Sequence, residues 1–254
     1  WAQTILLNNY LRTRRAAAAV EVGINCLNNN PTYSAFDKGT IVSVVLSSLV
    51  QLGRYDEATY WAEVATTGQW GNPPGKTHIA MELGRMYLRQ GDLHRAEQTL
   101  LEALTIDVSS NESWPVIFAL LGEIKAIENK RDEAEAYFTQ GVANTGFMGH
   151  FFRDEAIFRY GRFLLAQKRP TEAEAQFREI AQILPKSYYH GYGMALLAAG
   201  RNNQAEALGW LEKSLENFWP DADSVLEEPL FKKLRKTKRF RALMKKHFPD
   251  QPKD

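Results

Sequence analysis

Cysteine is nearly absent: Cys26 is the only one in 254 residues, which excludes an internal disulfide and a cysteine-rich metal site. A lone cysteine on a predicted helix reads as a packed thiol rather than a reactive one. Long apolar runs are also missing. No stretch reaches the roughly 18 apolar residues that a membrane-spanning helix requires. Catalytic patterns are lacking too. The five histidines, His78, His94, His150, His190 and His247, are scattered, and none forms a His-Glu-x-x-His pair or another ligand spacing. There is no Gly-x-Ser-x-Gly elbow, no glycine loop shaped for phosphate and no Cys-His pair. Asp221-x-Asp223 followed by Glu227-Glu228 hints at a calcium loop, but Lys232 stands where such a loop needs its bidentate glutamate. These absences predict a protein that is not an enzyme and carries no cofactor and no metal.

What remains is ordinary in amount and regular in arrangement. The apolar fraction is 44% and the charged fraction 24%, as in a globular protein. Four alanines, Ala58, Ala96, Ala134 and Ala173, recur at steps of 38, 38 and 39 residues, and Ala19 lies 39 residues before the first of them. Their surroundings recur with them. Leu83-Gly84-x-x-Tyr87-x-x-Gln90-Gly91-Asp92-Leu93-x-x-Ala96-x-x-x-Leu100 is the fullest copy, followed by Leu121-Gly122 with Ala134-x-x-x-Phe138, and Tyr160-Gly161 with Ala173-x-x-x-Phe177. Looser copies run through Leu6, Leu7, Tyr10, Ala19 and Gly23, through Leu49, Gly53 and Ala58, and through Tyr192-Gly193, Gly200 and Ala207.

This pattern resembles the tetratricopeptide repeat, a helix carrying Leu-Gly-x-x-Tyr, a tight turn, and a second helix carrying Ala-x-x-x-Phe. The resemblance implies an all-α fold, a right-handed superhelical solenoid of about six helix pairs plus a C-terminal capping helix, with residues 1–219 forming the array and 220–254 a cap and basic tail. Small residues let paired helices approach, and one pair cannot bury its own apolar face, so neighbouring units share a core. The period exceeds the usual 34 residues of this family. The added residues are expected in Gly68–Gly75 and Asn144–Gly149, where glycine and proline argue against continuous helix. Acids such as Asp56, Glu57, Asp132, Glu133 and Glu172 sit at the starts of second helices, where they favour the positive end of the helix dipole.

The tail resembles the segment that closes many bacterial arrays of this kind. Glu228-Pro229-Leu230-Phe231 is followed by Leu234-Arg235 and by Phe240, Leu243 and Met244, which can cover the exposed end of the last pair. Residues 232–247 hold nine Lys or Arg and no acid, leaving −8 for the rest of a chain whose net charge is +1. A patch for nucleic acid or anionic lipid is one reading of this charge, but with no aromatic interleaved for stacking a solvated face on a capping helix is expected and nucleic acid is not an expected partner. The chain opens at Trp1, already within the first predicted helix. From this we expect a processed leader or anchor upstream and an extracytoplasmic, membrane-tethered location ahead of a cytoplasmic one, with membrane contact only through that anchor or a partner complex.

In this family the first helices of the pairs line the concave surface. The register places Asn8, Arg12, Ser43, Ser47, Gln51, His78, Met81, Arg85, Arg89, Glu123, Phe158 and Arg162 there. Arg85 and Arg89, one helical turn apart, with Arg162 two pairs on, would suit a protein or peptide partner bearing acidic groups. The lysine and asparagine clamp of the family's chaperone-tail binders has only Asn8 to match it, so that activity is not expected. Two roles follow: an adaptor that holds its partner in the groove, or a structural or assembly subunit of a larger complex contacting it through its convex face and the loop aromatics Trp70, Phe147, Phe151 and Phe152.

Overall fold

A computed structural model of the chain describes residues 6, 7, 10, 15–106, 113–144 and 152–249. Among these are thirteen α-helices, two 3-10 turns and no strand. In chain order the helices are α1 (Ala16–Asn29), α2 (Ala35–Gln51), α3 (Tyr55–Thr67), α4 (Pro73–Gln90), α5 (Leu93–Leu104), α6 (Trp114–Ile127) and α7 (Arg131–Ala143). They continue as α8 (Arg153–Ala166), α9 (Pro170–Ile183), α10 (Tyr188–Gly200), α11 (Gln204–Glu216), α12 (Ala222–Glu227) and α13 (Lys238–His247). Five predicted pairs are thus present in full, α2/α3 to α10/α11, and α1 is the second helix of the first. The chain forms two compact units, Trp1–Ala156 and Ile157–Asp254.

The sharp turn inside each pair has one cause. The first helix ends on a residue in the left-handed region: Gly53 (φ 69°), Gly91 (78°), Asn129 (61°), Lys168 (61°) and Asn202 (58°). The following N–H then reaches back to the helix, as in Arg54 N to Leu49 O (2.9 Å), Asp92 N to Tyr87 O (3.0 Å) and Arg169 N to Leu164 O (2.9 Å). That closure satisfies carbonyls that the helix end would otherwise leave unpaired. Asp92 and Asn203 then cap the second helices, accepting from Arg95 N (3.1 Å) and Glu206 N (3.3 Å).

The added length is distributed differently from the expectation. Gly68–Gly75 is not a loop throughout: Asn72 caps α4 by accepting from Gly75 N at 3.1 Å, and the prolines occupy its first positions, whose N–H groups would have no helical partner anyway. Part of the extra length is therefore helix, in the 18 residues of α4. The second expected loop, Asn144–Gly149, lies beyond Asn144 outside the described residues.

Packing explains the recurring alanines and glycines. Ala19, Ala58, Ala96, Ala134, Ala173 and Ala207 are all fully buried. Where a first helix crosses its partner, glycine meets a large side chain: Gly84 faces Leu100, Gly122 faces Phe138 and Gly161 faces Phe177. Phe138 therefore fills space within its own pair, whereas Phe177 also meets Gly193 of α10 and links one pair to the next.

In the second unit the cap closes the last pair. Glu228 accepts from Leu230 N at 3.2 Å, starting the 3-10 turn Pro229–Phe231 that drives Phe231 edge-on against Tyr192 (5.5 Å between ring centres). Trp219 stacks on the same tyrosine at 3.8 Å and 6°. Leu234, Phe240, Leu243 and Met244 are buried as expected of a cap.

Candidate partner-binding face

In the first unit the predicted groove residues lie on α2, α4 and α6, and the structure sorts them by what surrounds them. Ser47, Gln51, His78 and Glu123 are half-buried and Arg89 is exposed, with one guanidinium N–H 3.4 Å from Val50 O. Ser43 is buried and donates to Gly39 O at 2.7 Å. Asn8 and Arg12 fall outside the described residues.

Two assignments require correction because the side chains are core. Met81 is 0% exposed and packs with Leu100, Leu120 and Leu121. Phe158, in the second unit, is surrounded by Phe177, Tyr189, Tyr192 and Trp219, with ring centres 5.0–6.1 Å away. An apolar residue at a groove register position turns inward whenever a neighbouring element offers it a pocket, and sequence register cannot show this.

The arginines also differ from the expectation. Arg85 donates through both terminal nitrogens to Glu155, at 2.5 and 3.3 Å, and its Nε lies 3.4 Å from Glu82. The side chains are only 15% (Arg85), 7% (Glu155) and 6% (Glu82) exposed, so the guanidinium is already enclosed by the protein's own carboxylates. Arg162, in the second unit, sits over the Phe158 ring at 5.9 Å and 3.6 Å from Glu228. Two of the three expected arginines, Arg85 and Arg162, are therefore paired with the protein's own carboxylates. Glu82 was legible as an i,i+3 neighbour of Arg85. Glu155, 70 residues away, had no such signal.

His78 packs against the Phe152 ring at 5.4 Å, so one of the expected loop aromatics serves the interior. Burial holds the imidazole below the usual histidine range and the Arg85 charge adds to this, while Glu82 and Glu155 oppose it. Trp70, another of those aromatics, is a partly buried member of the first core with Lys38 Nζ 5.7 Å above it. Phe147 and Phe151 lie outside the described residues. A second buried charge was not foreseen: Lys125 on α6 meets Glu97 at 2.6 Å and Glu128 at 3.1 Å. Burial alone would lower its pKa, but the two hydrogen-bonded carboxylates outweigh this and raise it. Among the described residues no group of His, Cys, Asp and Glu is arranged to hold a metal ion. No described helix is long and apolar enough to cross a membrane.

Comparisons with known proteins agree with this architecture. The family model for the tetratricopeptide repeat matches residues 47–111 and 127–188, together half of the chain. No curated protein matches the sequence significantly. Among solved structures, the APC/C hetero-tetramer Cut9–Hcn1 aligns with a TM-score of 0.63 at 12% identity, over 94% of this chain and 44% of the other. This chain thus spans less than half the length of that relative. A tetratricopeptide repeat protein from Parabacteroides merdae gives 0.52 at 15% identity, covering 100% of this chain and 93% of that one. A thermophilic repeat protein of Thermus thermophilus gives 0.50 at 21%, covering 80% and 98%. These likenesses concern the fold, an all-α helical repeat solenoid. The family match, the buried alanine series and the five left-handed turns lead to one conclusion: the chain belongs to the tetratricopeptide repeat family.

Proposed function

We propose that this chain is a non-catalytic interaction scaffold that holds a protein or peptide partner on the first-helix face of its first unit. The family's general role as a protein-interaction scaffold supports the class. The observation that supports the location is the polarity of the face: Ser47, Gln51, His78, Arg85, Arg89 and Glu123 follow one another along helices whose other sides bury apolar residues. A polar face lets a bound segment satisfy its backbone groups at the surface and leaves the array soluble without it.

The partner need not be rich in acids. On this face Glu82, Glu123 and Glu155 stand against Arg85 and Arg89, with His78 held below the usual histidine range by burial, and Arg85 is already paired. Recognition is assigned to the outer polar groups Ser47, Gln51 and Arg89, with the Glu82–Arg85–Glu155 cluster as a fixed floor. The test is capture of the partner by the wild type and by Arg89→Glu. Because Arg89 is exposed, the variant should keep its helical signal and lose the partner; undiminished capture would remove the face from consideration. Arg85 is left in place in this test, since a glutamate there would stand against Glu82 and Glu155 in a poorly solvated site.

A second reading, a structural subunit of a larger assembly, has its own support in the exposed side chains Tyr60 (59%), Ile127 (56%) and Leu101 (40%) of the first unit. Scattered apolar residues of this kind are common on monomers, which makes this the weaker reading.

A further inference from the structure

The cap of the second unit ends in α13, whose side chains divide by direction. Phe240, Leu243 and Met244 face inward. Arg239 and Lys246 turn toward the acids of α11, 2.7 Å from Glu212 and 3.9 Å from Glu216. Lys238, Arg241 and Lys245 are spaced i, i+3 and i+7 on the remaining face, and all three are exposed. On the preceding turns Lys233 donates to Asn202 Oδ1 at 2.6 Å and Arg235 to Glu228 O at 2.8 Å, while Lys232 and Lys236 are exposed. The side chains of Lys232, Lys236, Lys238, Arg241 and Lys245 have no hydrogen-bond or ion-pair partner among the described residues. The segment 232–247 contains no acid to offset them.

We propose that this outward face docks on an anionic lipid surface. The division between arginine and lysine favours that partner over an acidic protein segment. The planar guanidinium suits geometric pairing with carboxylates, and the cap uses two of its arginines, Arg235 and Arg239, for internal bonds of defined geometry. Lysines, compact and strongly hydrated, make up four of the five outward cations and suit a diffuse field of headgroup charges. Leu230, two residues before Lys232, is 41% exposed and could enter an interfacial layer, where a nucleic-acid backbone would offer it nothing. No exposed aromatic lies between the cations to stack on bases. Because the apolar residues of α13 are committed to the cap, attachment is mainly electrostatic, reversible and weakened by salt. This inference is independent of the groove on the first unit.

The test is co-sedimentation of the whole chain with vesicles of phosphatidylcholine containing about one-third phosphatidylserine, and with phosphatidylcholine alone. At about fivefold in partitioning per cation, replacing Lys238, Arg241 and Lys245 by Gln should weaken binding to the anionic vesicles by about a hundredfold. Replacing Lys238 and Lys245 by Arg should leave binding in place, and thermal unfolding of both variants should match the wild type. Equal binding to both vesicle types, no binding to either, or an unchanged partition for the Gln variant would overturn the proposal. So would retention on duplex DNA or an acidic peptide that is lost in the Gln variant while the anionic vesicles fail to bind.

Discussion

Replacing Arg85 by alanine removes a cation that pairs with both Glu82 and Glu155, two carboxylates at 4% and 6% residue exposure. Breaking a buried pair by deleting one partner costs about 3–5 kcal/mol, because the surviving charge stays out of water. Arg85 is 15% exposed, which places the expected loss near the lower end, about 3 kcal/mol. For a chain of this size that corresponds to a fall in melting temperature of about 6–12 °C. Urea denaturation of Arg85→Ala, Glu155→Gln and the double variant would measure it. The double variant should lose less than the sum of the single losses, since Glu155→Gln removes one of the charges that Arg85→Ala strands. A loss below about 1 kcal/mol in Arg85→Ala would show that the pair behaves as a solvated surface bridge, and the enclosed floor of the candidate site would be refuted.

Three further outcomes follow from the same structure. His78 is held below the usual histidine range by burial, so the unfolded chain binds a proton near pH 6.5 that the folded chain resists. Stability from this source is present above that pH and declines as pH falls through the lower folded value; His78→Gln should flatten this acid limb in denaturation curves, and an identical slope would argue against it. Gly161→Ala would drive a methyl into the Phe177 ring, which is backed by Gly193, and should cost about 1–3 kcal/mol, partly recovered by Phe177→Leu. Lys168 carries φ 61° in an exposed turn, so Lys168→Gly should gain about 0.5–1 kcal/mol in thermal stability, whereas a loss would mean that its side chain supports the turn.

The repeats were legible because close packing requires a particular residue at a particular place. Only a small side chain fits at Ala134 or opposite Phe138, and only glycine or a tolerant residue turns easily at Gly53, Gly91 and Asn129, so the chain records these needs at a nearly constant step. Turn residues that lack such a signature, such as Lys168, were not visible in advance. Pro73 and Pro74 misled because proline interrupts a helix interior but is well suited to its first turn, and only the cap at Asn72 decides which applies. The candidate face was legible only as a set of register positions. Whether Met81 and Phe158 point inward depends on neighbouring elements, and the Arg85–Glu155 pair depends on a contact 70 residues apart that no periodicity encodes. The cap's apolar half was readable from Phe231, Leu234, Phe240 and Leu243; which cations it leaves unpaired was not, since that depends on Glu212, Glu216 and Asn202.

The most direct measurement of the scaffold's working face is site-specific photo-crosslinking in the native cellular background, with the reactive side chain placed in turn at Gln51, at Arg89 and at Tyr60. Gln51 and Arg89 lie on the first-helix face of the first unit and Tyr60 on an exposed part of the second helix α3. A partner on the proposed face should give one discrete adduct from Gln51 and Arg89 and none from Tyr60. Adducts from Tyr60 alone would contradict the assignment and move the interaction to the second-helix side.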